Sequence, residues 1–378
     1  MSRLGNWKHA AGVAAFTLTF ILLGVNSGLA QHYQRTDLTA DNSSTSSTAA
    51  NIDPSLVNAW GMARSSGSPW WISDNGTSLS TLYDSTGVAR MLPAPAVCPL
   101  QNCISIPLPD GTPGGTPTGA VFNYTSSFEV GPGQKAIFLF ATEDGTISGW
   151  NPNVNPSAAV VKVKNPATAI YKGLALATTP SGPRLYATNF KSGGVEVYGP
   201  KFGRINPPGG FLDPNLPANY APFGIQNVGG NIVVTFAHRK PGSKDEDHGA
   251  GLGFVDVFDL AGRLVLRLQH GLFLNAPWGI AMAPGDFGGF SHRLLVGNFG
   301  DGHINAFNAV TGKFDGTLQD PLGQPLSIDG LWGLSFAGDG TNSGLATELY
   351  FTAGANDEND GIFGKITATS SEQRGNAE

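Results

Sequence analysis

The sequence predicts an all-β fold, a six-bladed β-propeller of four-stranded blades whose ring is closed by an N-terminal strand. Three observations carry that prediction. Composition comes first: of 378 residues, 52 are Gly and 26 Pro, while only 13% are charged. Gly and Pro are the poorest helix formers, so long helices are disfavoured. The second observation is an internal repeat: a turn residue, often an aromatic, a Gly, then alternating apolar residues. It reads Ala59-Trp60-Gly61-Met62-Ala63, Pro117-Thr118-Gly119-Ala120-Val121 and Tyr171-Lys172-Gly173-Leu174-Ala175. It continues as Pro222-Phe223-Gly224-Ile225, Pro277-Trp278-Gly279-Ile280-Ala281 and Leu331-Trp332-Gly333-Leu334-Ser335. Successive repeat glycines lie 58, 54, 51, 55 and 54 residues apart, a spacing typical of stacked units that bury their apolar faces against neighbours. Third, each copy continues with further strands and turns, and four strands repeated radially is the propeller plan.

Taken in order, residues 1–30 read as a signal peptide. Arg3 and Lys8 form a positive start, Ala10 to Val25 an apolar run, and Gly28-Leu29-Ala30 a small-residue cleavage site. The run falls short of the ~20 residues a membrane helix needs, although an uncleaved anchor is the alternative. The expectation is a secreted or periplasmic protein with no stable membrane anchor. Residues 31–50 hold Tyr33-Gln34-Arg35-Thr36-Asp37-Leu38, which alternates like a strand, and a Ser/Thr-rich stretch from Asp41 to Ala50 that reads as an exposed linker.

Residues 51–367 contain the six repeats. Second strands are expected at Trp70–Ser73, Ile137–Phe140, Arg184–Ala187, Ile232–Thr235, Leu294–Gly297 and Glu348–Phe351. Turns such as Asp74-Asn75-Gly76, Asp144-Gly145, Gly193-Gly194, Asp301-Gly302 and Asp360-Gly361 follow, where Gly supplies the positive φ of tight hairpins. Third strands follow at Val195–Tyr198, Phe254–Phe258 and Ile304–Phe307. The sixth repeat lacks room for a fourth strand, so Tyr33–Leu38 is expected to supply it. Residues 368–378 form a polar tail. Cys98 and Cys103 are the two cysteines, and in an exported chain such near neighbours are expected to form a disulfide. The net charge of −6 argues against a nucleic-acid partner, which demands basic patches. A monomer is expected.

The repeat resembles NHL-type propeller repeats. The chain as a whole resembles an uncharacterised family of exported bacterial propeller proteins, roughly over residues 33 to 367. Three stretches carry that likeness: Asp53-Pro54-Ser55-Leu56-Val57-Asn58-Ala59-Trp60-Gly61, Gly249-Ala250-Gly251-Leu252-Gly253-Phe254-Val255-Asp256-Val257-Phe258-Asp259, and Ala276-Pro277-Trp278-Gly279-Ile280-Ala281. It implies a fold and an exported location, and no chemistry.

Propeller topology places the start of each inner strand and each second-to-third-strand turn on one face, at the mouth of the axis. The residue before each repeat Gly therefore points there: Trp60, Thr118, Lys172, Phe223, Trp278 and Trp332. Either these pack between blades as core, or Trp60, Phe223, Trp278, Trp332 and Lys172 wall a binding pocket for a small molecule, glycan or protein. Turn residues add oxygens to the rim, and Asp74, Glu143, Asn189, Asn298 and Asp301 are candidate ligands for Ca²⁺ or Mg²⁺. The bland alternative is that Asp and Asn are simply turn residues. His238 and His303 are candidate acid–base groups. His238 precedes the longest insertion on this face, Arg239 to Gly253, which contains Lys244-Asp245-Glu246-Asp247-His248, and long loops in compact domains are often functional. Two readings follow: a binding module at the mouth, or a divalent-metal-assisted hydrolase or lyase of the lactonase or virginiamycin-lyase type. There is no Gly-x-Ser-x-Gly elbow and no His-Glu-x-x-His.

Overall fold

A computed structural model describes residues 32–369, apart from 47, 94–96 and 341. The expected signal peptide and polar tail lie almost wholly outside the described residues. Six sheets radiate from one axis, each built on an inner strand that carries a repeat motif. The inner strands are Ala59–Ala63, Pro117–Phe122, Tyr171–Thr179, Tyr220–Val228, Pro277–Met282 and Leu331–Phe336. Blades 1 to 5 each take their four strands from consecutive sequence. Blade 6 takes three, and its fourth is Tyr33–Ala40, antiparallel to Ile362–Ala368. The ring is thus closed by the N-terminal strand.

The repeat glycines have a steric reason. Each inner strand changes register at its repeat Gly or at the residue just before it, an irregularity of the kind that bends a strand. Around the ring each of these glycines abuts its neighbour's inner strand. A Cβ on Gly61 would press on the Thr118 carbonyl, on Gly224 on the Trp278 carbonyl, and on Gly279 on the Trp332 carbonyl, while on Gly333 it would lie 2.8 Å from the Trp60 carbonyl. Threonine hydroxyls stitch the same contacts: Thr118 donates to the Tyr171 carbonyl (2.9 Å), Thr188 to that of Phe223 (2.7 Å), and Thr352 to that of Trp60.

Burial follows the same plan. Among the described residues, apolar side chains gather into one cluster at each of the six blade junctions and a seventh on the axis. Period-2 alternation turns each blade's two faces toward its two neighbours, so no blade completes a core alone.

Details depart from the sequence expectation in two places. Gly145, Gly193 and Gly302 take the anticipated positive φ, but in blade 1 that role falls to Ser78, and in blade 6 to Asn356, Asp357 and Glu358 in succession. The Ser/Thr-rich stretch is also less exposed than its composition implies. Asp41 and Ser46 are buried, with the Gly361 amide donating to Asp41 (3.2 Å) and the Ser46 hydroxyl to Asp37 (2.7 Å). The Cys98–Cys103 disulfide is present, with Cα atoms 6.2 Å apart. No helix among the described residues is long and apolar enough to cross a membrane.

Candidate functional site: the axial mouth

The inner strands bring Trp60, Phe223, Trp278, Trp332 and Lys172 into one cluster on the axis. Trp60 and Trp332 stack with centroids 3.5 Å apart, and Trp278 meets both edge-on at 5.9 and 5.8 Å. Phe223 packs edge-on against Trp60 and Trp332. All five side chains are buried. The aromatics therefore fill the funnel instead of walling an open cleft, the outcome expected of large apolar rings that can meet across a narrow axis. Two further rings that sequence reasoning did not single out, Phe190 and Phe299, complete the plug.

Lys172 is the exception in this apolar setting. Its ammonium lies 5.0 Å from the Trp60 ring centroid and 5.7 Å from that of Phe223, distances at which a cation is attracted to the ring face. It donates to Glu143 Oε1 at 2.8 Å and stands 3.7 Å from Glu246 Oε2. The Trp278 indole N–H donates to the Lys172 carbonyl (2.9 Å). Glu143 is shared: Lys244, from the long blade 4 insertion, donates to its Oε2 at 2.7 Å, and Asn75 does so at 3.2 Å. One carboxylate of blade 2 thus joins a buried cation of blade 3 to a loop of blade 4.

Burial works against charge on all three central groups, and the neighbours decide the outcome. Glu143 is desolvated, yet Lys172 and Lys244 hold it ionised, at about 2. Lys172 is desolvated too, but Glu143 and Glu246 lift it above the ordinary lysine range. For Glu246 burial prevails over the attraction of Lys172 and pushes it up to about 7. Glu358, also raised by burial, accepts from the Asn58 amide at 2.6 Å, and Asn58 in turn accepts from the Trp332 indole N–H at 3.0 Å. Asn58 sits at φ 48°, a left-handed conformation that Asn tolerates better than most residues.

The other predicted site residues lie elsewhere. Asp74 is buried in blade 1, where Oδ2 accepts from the Thr81 amide (2.9 Å) and burial pushes its carboxyl well above the usual range. Asn189 caps the turn of blade 3 and donates to Glu196 (3.0 Å). Asn298 and Asp301 bond each other at 3.0 Å in the turn of blade 5. Of the five oxygen donors expected to converge, only Glu143 reaches the axis, and there it meets an ammonium. Among the described residues no three His, Cys, Asp or Glu side chains converge as metal ligands. This donor set does not fit a divalent ion at the mouth, because Lys172 already supplies the positive charge that the carboxylates would otherwise share. His238 faces Asp247 at 3.1 Å on the flank of blade 4, and His303 stands 3.6 Å from Asp301 on blade 5. The structure pairs each with its own acid and does not pair them with each other.

Glu246, Lys244, Glu358 and Asn58 are the mouth residues that the sequence reading did not assign to a site. The length of the Arg239–Gly253 insertion was the available signal for the first two. At the far end of the axis the inner strands enclose an open cavity of about 360 Å³, reached by Arg64, Tyr124, Gln226 and Ser335.

No family model matches the chain. An uncharacterised protein of Acanthamoeba polyphaga mimivirus is 32% identical over 329 residues, spanning 84% of this chain and 76% of that protein. The chain belongs to that protein's family. A second mimivirus member is 31% identical over 333 residues, 84% of this chain and 82% of its own length. Among solved structures, virginiamycin B lyase from Staphylococcus aureus superposes with a TM-score of 0.50 at 14% identity, over 89% of this chain and all of that one. At that identity the likeness is one of fold, a six-bladed ring, and a shared fold does not carry a shared reaction.

Proposed function

We propose that the protein is an exported binding module that takes a small molecule or glycan at the axial mouth, on the side where blades 2, 3 and 4 meet. The observation that carries this reading is the bond from Lys244 to Glu143. An exposed lysine of a long surface loop reaches a buried carboxylate that is already satisfied by Lys172. Such a loop contact is separable from the rigid plug beneath it, so the loop is poised to trade it for a ligand. Export is supported by the reading of residues 1–30 and by the disulfide. The net negative charge weighs against a long nucleic acid as the partner.

The test is a fluorescence screen of glycans and small molecules on the mature protein, with acrylamide quenching as second readout. A ligand of this mouth shifts the emission of the buried tryptophans, and Lys244→Ala raises quenching in the free protein. A screen in which no ligand moves the emission, with Lys244→Ala quenching as wild type does, sinks the reading. One observation favours a second reading, catalysis at the same place. Glu246, at about 7 in an apolar mouth beside Lys172, has the poise of a general acid or base. In that case Glu246 transfers the proton while the Lys172 ammonium stabilises developing negative charge, and a ligand found in the screen is to be checked for turnover in wild type against Glu246→Gln.

A further inference from the structure

Beside the plugged mouth, between blades 3 and 4, lies an open groove of about 440 Å³. Its apolar lining is the half-buried Ile170 and the exposed Pro241, above the buried Phe190, and its rim is basic, with Lys191 from blade 3 and Arg239, Lys240 and Lys244 from blade 4. The sequence reading assigned nothing to this groove.

Three features separate it from an ordinary solvated surface. The chain is acidic overall, at −6, yet four cations converge here from two blades. Elsewhere some arginines and lysines pair with carboxylates, Arg35 with Asp37, Arg293 with Asp315 and Lys365 with Glu348, and the cations that do not, such as Lys162 and Lys313, line no shared groove with one another among the described residues. Among the described residues Lys191, Arg239 and Lys240 have no carboxylate within ion-pair distance, and Arg239 donates instead to the Lys191 carbonyl (3.3 Å). The nearby Asp245 carboxylate is turned to the Ser243 hydroxyl (2.7 Å). Finally, the fourth cation, Lys244, is held only by Glu143, whose other oxygen belongs to Lys172. An incoming anion can take over Lys244 without leaving Glu143 unpaired.

Resting on the reading of the mouth as a binding site, we propose that this groove takes an anionic saccharide, its ring against Ile170 and Pro241 and its carboxylate or sulfate among Lys191, Arg239, Lys240 and Lys244. The apolar C–H face of a pyranose ring suits an apolar patch of this kind. Cations that lack partners recognise an anionic group through charge-assisted hydrogen bonds. Phe190 also lies 5.6 Å from the Lys172 ammonium, so occupancy of the groove is felt at the axial tryptophans.

The test is calorimetric titration of the mature protein with three probes: a glucuronic-acid disaccharide, its neutral methyl ester, and a sulfated disaccharide. The variants are Lys191→Gln/Lys240→Gln and, as an exposed control outside the groove, Lys201→Gln. The expected result is at least tenfold tighter binding of one or both acidic probes than of the ester. At least tenfold weakening is expected in the double variant, and less than twofold change in the control. The two acidic probes tell carboxylate from sulfate as the group recognised. Equal affinity for acid and ester, or an unchanged double variant, overturns the anionic assignment while leaving a binding mouth intact. Failure of both acidic probes to bind overturns it as well, and the fluorescence screen then judges the broader reading separately.

Discussion

At the scale of single residues, the repeat glycines and the buried lysine illustrate two different constraints. The glycines were legible in the sequence through their spacing, but their purpose was not. Only the assembled ring reveals that each abuts the next inner strand, with Gly333 of the last blade meeting Trp60 of the first. Gly224 is the sharpest case, since a methyl group there meets the Trp278 carbonyl and the Thr235 hydroxyl. Gly224→Ala is therefore expected to destabilise the fold by about 1–3 kcal/mol, the usual range for overpacking. Gly67→Ala, at a position where a Cβ meets nothing within 4 Å, should stay within about 0.5 kcal/mol of wild type. Chemical denaturation of the two variants decides it, and equal stability would remove the steric account of the repeat. Lys172 was equally legible by position, one residue before a repeat Gly. Its partner Glu246 was not, because it comes from an insertion whose path across the mouth no periodicity encodes.

At the scale of elements, the strands were readable from alternation and the loops were not. Phe254–Phe258 sits where the apolar pattern put it. By contrast the run Asn356–Glu358, with three successive residues at positive φ and no glycine, carries Glu358 to Asn58 in a conformation no turn rule anticipates. The insertion after His238 has a consequence in solution. Glu246 is anchored by a two-residue strand against His238 and Arg239, which holds its carboxyl in the apolar mouth. Its folded pKa, about 7, lies above the ordinary value of 4.5, so between those values the folded state binds more protons than the unfolded one. Stability must then fall as pH rises from 4.5 to 7. Glu143, at about 2 when folded, acts in the opposite sense, and its contribution is lost as pH drops from 4.5 toward 2. Glu246→Gln mimics the protonated side chain and should not share the fall. The stability of the variant relative to wild type is expected to grow by about 3 kcal/mol between pH 4.5 and 7.5. Urea melts across that range measure it, and a flat difference would mean that Glu246 ionises as an ordinary surface carboxylate does.

At the scale of the whole molecule, closure decides whether six blades make one cooperative body. The sequence foretold it by subtraction: the sixth repeat runs out of chain one strand short, while an alternating segment stands unused near the start. Tyr33–Ala40 fills that place, and its ties extend beyond blade 6. The Tyr33 hydroxyl donates to the Phe287 carbonyl (3.0 Å) and accepts from the Phe290 amide (3.1 Å), with the ring packed against both phenylalanines of blade 5. Without this strand, Ile362–Ala368 becomes an open edge whose unpaired amides and carbonyls invite another chain. The junction between blades 5 and 6 also loses Tyr33 from its core. A variant that begins at Asp41 is therefore expected either to lose a single cooperative melt or to self-associate through the bare edge. Size-exclusion chromatography with light scattering, followed by calorimetry, distinguishes these outcomes. A synthetic peptide spanning residues 32–40 should restore the mass and the melt of the untruncated protein in a concentration-dependent way, because it supplies the same ladder in trans. A truncated chain that keeps the wild-type mass and melts as wild type does would show that the blade-to-blade cores hold the ring shut without their fastening strand.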